Sequence, residues 1–442
     1  MKFFSQTSSA ALSRRQLLQL GLGGLSAASS MSAAAQAAST PASPLPDSTS
    51  VSAQQWNAIR AQLVLNPQLA YFDTAGIGPA TRAVLVAEYR ALEALHTDPQ
   101  EFLASRYNAQ AVQQFCSRVA GWLGCSRDEV TFTSGAQAGM ELFANWFNFS
   151  APLQAGDELV ICEQLSSAAT EFWTRRGQQR GMAVKTLILP SPLTSDAQAI
   201  DVLTAGLDQR SRILVVPQVQ YGDGARLPVR EICALARERK VLSIVDGSLS
   251  LGAISVSVAD MGCDVFTGSF CHWLNGPRHT GVLYVRSELL SQMPYLSGSI
   301  AATLDLNLAS WPALVARLPQ HFLNYAPQFQ ALPLALSLQE NLGANTVAAR
   351  IRELSSYARL QMQSLGMPLL TPVPGQMWSN VLALKANRSV AELISYLRHT
   401  DQVVAGGFRT HTGDVLRLSF HIYNSFDDID RLLRGLKRVL HG

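Results

Sequence analysis

The sequence predicts an α/β protein: a mostly parallel sheet covered by helices on both faces, followed by a smaller α+β domain. Three observations carry this. Short, near-continuous apolar runs recur between about residues 129 and 285, and most are separated by helical spacing of apolar residues. Strands that are apolar along their whole length belong to a sheet buried on both sides. After about residue 305 the texture changes to long helical stretches with two further strand-like runs. Finally, the 442 residues are 48% hydrophobic with a mean hydropathy of +0.10, which suits a large core and not a disordered chain. The formal charge of +3 is small for this length and no basic block occurs, so nucleic acid is disfavoured as the main partner.

In chain order, the first segment reads as a leader. Arg14 and Arg15 precede Leu17 and Leu18, and a mildly apolar run to Met31 is loosened by Gly21, Gly23 and Gly24. Ala35-Gln36-Ala37 then offers a small-residue cleavage site. This is the three-part pattern of a twin-arginine (Tat) signal peptide over residues 1–37, with the periplasm as destination and the Tat translocon as transient partner. The competing reading is a disordered leader with a chance Arg-Arg pair. The run is too short and glycine-rich for a stable membrane span. Residues 38–50, with Pro41, Pro44 and Pro46 among Ser and Thr, read as a solvated linker.

Helical spacing is expected over Arg82 to Leu95, Asn108 to Leu123, Ala138 to Phe149 and Val229 to Lys240. Strands are expected at Glu129 to Thr133, Glu158 to Cys162, Arg212 to Val216, Val241 to Asp246, Cys263 to Thr267 and Gly281 to Val285. In the last third, strands are expected at Asn380 to Lys385 and Val415 to Ser419, before an amphipathic helix from Phe426 to Leu440. The six cysteines (116, 125, 162, 233, 263 and 271) form no C-x-x-C pair, and several sit in apolar runs, so buried free thiols are expected. No metal site is expected.

Ligands of parallel α/β sheets bind beyond the carboxyl ends of the strands. Four features fall there. Ser134-Gly135-Ala136 follows a strand and opens a helix, whose free amides suit a phosphate; its bland counterpart is an ordinary helix cap. Asp246 ends a strand, where a carboxylate can pair with a protonated ring nitrogen; a turn aspartate is the alternative. Ser269 lies just past a strand, ahead of His272. Arg417 sits mid-strand among apolar residues, where it can fork onto a carboxylate or serve a structural ion pair.

Together with Tyr71-Phe-Asp-Thr-Ala-Gly-Ile-Gly-Pro79 and Arg417-Leu-Ser-Phe-His-Ile-Tyr-Asn424, these residues resemble the class V aminotransferase family of fold-type I pyridoxal phosphate (PLP) proteins. That family includes cysteine desulfurases and isopenicillin N epimerase-like enzymes. The resemblance spans nearly the whole mature chain. It implies a seven-stranded sheet in a large cofactor-binding domain (81–305), a small C-terminal domain (306–442) and an N-terminal arm (51–80) packing on the latter. It also implies a homodimer. Ser134, Gly135, Ala136 and Ser269 would hold the cofactor phosphate, Asp246 would pair with the pyridine nitrogen, and Arg417 would bind the substrate carboxylate.

The chain departs from the family at the reacting position. In Asp264-Val-Phe-Thr-Gly-Ser-Phe-Cys-His-Trp-Leu-Asn-Gly-Pro277, His272 stands where the family's Schiff-base lysine precedes Trp-Leu. The mature chain has four lysines (185, 240, 385 and 437), and none has the context of a substitute. Leu165 falls where the family has a ring-stacking residue, Leu249 where it often has Gln or His, and Tyr325-Ala326 where a Gly-Thr pair reaches the neighbouring subunit's phosphate. Any PLP or pyridoxamine phosphate would therefore be held non-covalently. Micromolar retention needs about 8 kcal/mol, which a few charged hydrogen bonds of about 1.5–3 kcal/mol each can reach with little surplus.

Three readings follow. The chain is a periplasmic enzyme of PLP type acting on an amino acid or the amino-acid moiety of a peptide metabolite, with His272 as proton-shuttling base. Alternatively, it keeps the fold as a binding or scaffold protein without catalysis. Or His272 is a satisfied core histidine.

Overall fold

The structure is a computed structural model that describes residues 51–146, 154–290, 325–372, 377–386 and 389–441. The expected leader, the linker and the boundary at 305/306 lie outside the described residues. Strand β1 (Ala70–Phe72) comes first, followed by β2 (Val130–Thr133), β3 (Glu158–Cys162), β4 (Ala183–Leu187), β5 (Ser211–Pro217), β6 (Leu242–Asp246), β7 (Val265–Ser269) and β8 (Gly281–Val285). Then come β9 (Val381–Lys385), β10 (Val403–Thr410) and β11 (Gly413–Ser419).

Seven strands form the large sheet in the order β2-β8-β7-β6-β5-β3-β4, with only β8 running against its neighbours. The apolar runs divide between two cores with period two. Val160, Leu214, Val216, Val245 and Phe266 face one cluster, beneath helices Ala109–Leu123, Val229–Glu238 and Ala326–Leu342. Leu159, Ile161, Ile213, Val215, Ile244 and Val265 face the other, beneath Ala136–Trp146 and Ser167–Gln179. Both faces are dry, so successive side chains must all be apolar.

The second sheet has the order β1-β10-β11-β9, with β1 parallel to β10 and the remaining pairs antiparallel. Residues 51–80 supply the helix Ala53–Gln62, which Ser52 starts with a capping box, and strand β1. The guanidinium of Arg60 in that helix grips the Asp428 carboxylate and donates to the carbonyls of Tyr423 (2.9 Å) and Leu69 (3.1 Å). Trp56, Phe72, Phe420 and Leu432 share one apolar cluster there. The terminal helix Phe426–His441 closes this layer.

Several elements differ from the sequence reading. Strand β4 escaped it because it is a sheet edge carrying Lys185 and Thr186, so it lacks the apolar run of its neighbours. Strand β10 contains Gly406 and Gly407 and was missed likewise. The helix expected from Ala138 begins at Ala136, and β7 continues past Thr267 because Gly268 and Ser269 pair with Val282 and Gly281. All six cysteines are free thiols. Among the described residues, no helix is long and apolar enough to cross a membrane.

Candidate active site

The C-terminal ends of β6 and β7 lie side by side, with Asp246 paired to Thr267. From β2 the chain turns through Ser134 and Gly135 into the helix Ala136–Trp146. Gly135 has φ +139°, which strains any side-chain-bearing residue. The Thr133 hydroxyl donates to the Gly135 carbonyl (2.9 Å), and the Ala136 amide donates to the Ser269 hydroxyl (2.9 Å). Thr267 Oγ1 donates to the Ala136 carbonyl (2.8 Å), fastening the helix start to the sheet. Ser134, Gly135, Ala136 and Ser269 thus meet in one turn at a helix N-terminus, a setting that favours an anion.

Asp246 is buried. Its Oδ1 accepts from the amide (2.9 Å) and hydroxyl (2.6 Å) of Ser248, and the Tyr221 hydroxyl lies among Asp246, Ser248 and Ser166. Burial pushes the Asp246 carboxyl above its ordinary range, and these neutral donors oppose the shift. Among the described residues it forms no ion pair, and Arg417 acts on Tyr221 next to it.

His272 follows β7 in a segment tied to residues 71–79. The Gly78 amide donates to the Cys271 carbonyl (3.0 Å), and Asn275 Nδ2 donates to the Pro79 carbonyl (2.8 Å). A side chain at Gly78 would run into the His272 and Cys271 carbonyls. The half-buried imidazole donates from Nδ1 to the Thr74 carbonyl (3.0 Å). Burial pushes its pKa down to about 4; the Thr74 hydrogen bond opposes this and the charge of nearby Arg417 adds to it. The imidazole is therefore neutral at physiological pH. Next to it, Trp273 anchors the segment, donating to the Phe420 carbonyl (2.7 Å).

Arg417 on β11 is buried, donates from Nη2 to Asp73 Oδ1 (3.2 Å) and leaves its Nε without a partner. The β10–β11 hairpin reaches over the carboxyl ends of β3 and β5. His411 bonds Glu163 through its amide (2.6 Å) and ring Nδ1 (2.8 Å), and the Phe408 ring meets Tyr221 at 6.5 Å. Gln164 beside it takes part in a buried cage around Asp223, whose carboxyl burial raises to about 6.

Leu165 and Leu249 are fully buried in apolar clusters and present no polar or aromatic group. The Tyr325 ring lies 5.7 Å from that of His279. None of the four lysines reaches the site. Lys185 pairs with Glu158 and Asp208 toward the opposite sheet end, Lys240 precedes β6, Lys385 is exposed, and Lys437 is on the terminal helix. Among the described residues, no cluster suited to a metal ion occurs. The sequence strings 71–79 and 417–424 contain Asp73, Thr74, Ser419 and Tyr423 but gave them no role, and Tyr221 and Ser248 were missed. Tyr221 could have been flagged, since it follows the end of β5 in a Tyr-Gly-Asp-Gly turn.

One pH effect follows from the buried imidazoles. His421 stacks on Tyr423 with centroids 4.4 Å apart, and burial pushes its pKa down to about 3. The unfolded chain takes up this proton near pH 6.5, the folded chain only near pH 3. His421 therefore favours the fold above pH 6.5, and this contribution declines steadily as pH falls toward 3. Relative to the parent protein, His421→Phe is expected to gain stability between pH 7 and pH 4 in urea denaturation series. A difference that stays flat with pH would refute this.

The model of the aminotransferase class-V family matches residues 70–432. Isopenicillin N epimerase from Amycolatopsis lactamdurans is 26% identical over 399 residues, covering 88% of this chain and 99% of the relative. Cysteine desulfurase from Klebsiella pneumoniae (strain 342) is 30% identical over 399 residues, covering 84% and 93%. Among solved structures, the apo cysteine desulfurase of Thermococcus onnurineus NA1 superposes with a TM-score of 0.72 at 18% identity, covering 87% of this chain and 98% of that one.

Proposed function

The chain belongs to the aminotransferase class-V family, a family of PLP enzymes, and on that footing we propose that it is an exported enzyme using non-covalently held PLP or pyridoxamine phosphate. In this reading it acts on an amino acid or the amino-acid moiety of a peptide metabolite, with His272 as the base where the family has lysine. The observation that carries the proposal is that one chain holds both an imidazole fixed by the Thr74 carbonyl just after β7 and a buried carboxyl, Asp246, with no ion-pair partner among the described residues. The residues fit a phosphorylated pyridine. The turn at Ser134–Ala136 with Ser269 offers the phosphate cup, and Asp246 offers the ring-nitrogen contact.

When bound, that group supplies an electron sink for a proton removed beside the substrate's amine. Asp246 would keep the ring protonated, His272 Nε2 would accept and return the proton, and Arg417 would hold the substrate carboxylate. Arg417 Nε is a buried donor without a partner and Nη2 already pairs with Asp73, so a substrate carboxylate would compete with Asp73 for this guanidinium. Sulfur transfer of the desulfurase type is disfavoured, because it needs an activated thiolate. Burial pushes Cys116, Cys125, Cys162 and Cys233 up to about 12 and Cys263 well above its ordinary value, and raises Cys271 beside His272 too.

The direct test is to purify the mature protein, add PLP or pyridoxamine phosphate, and follow a bound chromophore by absorbance and circular dichroism. Amino acids and peptides are then screened for turnover. Absence of binding at large cofactor excess would refute the enzyme and leave the scaffold reading, which the drift at Leu165 and Leu249 favours. Arg417→Ala is expected to raise KM for a carboxylate substrate by about 10- to 100-fold, the loss of a charged hydrogen bond, with cofactor affinity unchanged. An unchanged KM would remove Arg417 from substrate binding. Export through the Tat translocon, periplasmic residence and a homodimer belong to the same proposal. They are tested by fractionation of cells carrying Arg14→Lys/Arg15→Lys and by light scattering.

A further inference from the structure

Three consecutive arm residues spend their polar groups in one place. The Asp73 carboxylate takes Arg417 Nη2 at 3.2 Å. The Thr74 hydroxyl meets the Tyr423 hydroxyl at 2.5 Å. The peptide between Thr74 and Ala75 is held from both sides: its N–H donates to Ser419 Oγ at 3.2 Å, and its carbonyl faces His272 Nδ1 at 3.0 Å. Arg417, Ser419 and Tyr423 all come from β11 and the turn after it. Thr74, Ser419 and Tyr423 are buried, so water does not compete for these bonds.

A carbonyl can only accept, so His272 Nδ1 must carry the hydrogen. The other nitrogen, Nε2, is then a bare lone pair. Among the described residues it has no hydrogen-bond partner, and it is not among the fully enclosed polar atoms, so it keeps some accessible surface. We infer that Ser419, acting through the Thr74–Ala75 peptide, is a positioning residue that locks His272 in the Nδ1–H tautomer, making Nε2 an acceptor only and the site selective for a ligand that brings an N–H to it. For the cofactor class named above, on which this inference rests, the matched form is the amine, pyridoxamine phosphate. The aldehyde of PLP would set two acceptors against each other, leaving both unsatisfied.

The depressed basicity of His272 works in the same direction, since a neutral ring cannot offer a second hydrogen at neutral pH. The charged groups facing this assembly are Asp73 and Arg417, which pair with each other, Arg60, which donates to the Tyr423 carbonyl and pairs with Asp428, and Arg278 near Cys271. The strap is thus set by small-domain residues far from His272 in sequence, and it decides the hydrogen-bonding sense of the large domain's reacting position.

The test has two readouts, neither of them activity. In the first, the whole mature protein is labelled with 15N-histidine, and His272 is assigned by loss of its signals in His272→Gln. Nε2 is expected to show the shift of an unprotonated ring nitrogen and Nδ1 that of a protonated one, from pH 8 to about pH 5. The reverse pattern at pH 7 overturns the inference. In the second, calorimetry compares pyridoxamine phosphate with PLP. The amine form is expected to bind about tenfold tighter, one hydrogen bond's worth. Ser419→Ala should populate both tautomers and narrow that ratio, and Ser419→Thr should restore it. Equal or tighter binding of PLP sinks the selectivity and leaves the function reading standing. Binding of neither form sinks both.

Discussion

His272→Ala is expected to lower turnover by about 10²- to 10⁴-fold, the range supplied by a positioned general base, while phosphate-dependent binding of the cofactor persists. The separation arises because the imidazole belongs to the segment after β7, whereas the proposed phosphate cup is the Ser134–Ala136 turn backed by Ser269. With its pKa pushed down to about 4, His272 is already neutral through the physiological range. Activity limited by this group should hold flat from pH 8 to pH 5 and fail only as pH approaches 4, not near 6.5 where an ordinary histidine titrates. The complementary variant, His272→Lys, is expected to gain a covalently retained chromophore that survives gel filtration after borohydride. Full turnover in His272→Ala would remove the base role. Failure of His272→Lys to retain the chromophore would show that the cavity no longer accepts the family's arrangement.

The second large effect lies in the backbone behind the proposed phosphate cup. Gly281, at the start of β8, has no room for a side chain: a Cβ there would sit 2.6 Å from Gly135 Cα and 2.7 Å from the Gly268 carbonyl oxygen. These are main-chain atoms of the turn and of β7, so neither neighbour can step aside by rotating a side chain. Gly281→Ala should push the Gly135 turn out of register with Ser269. The expected result is a cost of about 1–3 kcal/mol in stability, as for other overpacked sites, with at least a tenfold loss of pyridoxamine phosphate affinity. Denaturation and calorimetry read the two separately. Unaltered affinity in a folded Gly281→Ala protein would place the phosphate elsewhere.

The sites read from sequence were those announced by the chain locally. Ser134–Ala136, Asp246 and Ser269 each lie at or just beyond the carboxyl end of an apolar strand, and that position alone marks them. Arg417 stood out because a charge in the middle of an apolar strand demands an explanation. Thr74, Ser419 and Tyr423 stand within the two strings that carry the resemblance, but nothing local assigns them a role until hydrogen bonds join them. Strand β4 was missed for a related reason, since an edge strand exposed to water does not need the apolar pattern that betrays its buried neighbours.

From its sequence alone this protein is committed to a two-faced parallel sheet, to a Ser-Gly-Ala turn at the head of a helix, and to a histidine in the segment that follows β7. Burial of both sheet faces and the alternation of helix and strand are local, periodic properties, and periodicity survives in one dimension. Which nitrogen of that histidine carries the hydrogen is settled otherwise. It depends on a peptide almost 200 residues away being clamped by a strand more than 140 residues beyond His272. Hydrogen-bond direction is a property of atoms in contact, and only the folded chain brings Thr74, His272 and Ser419 together.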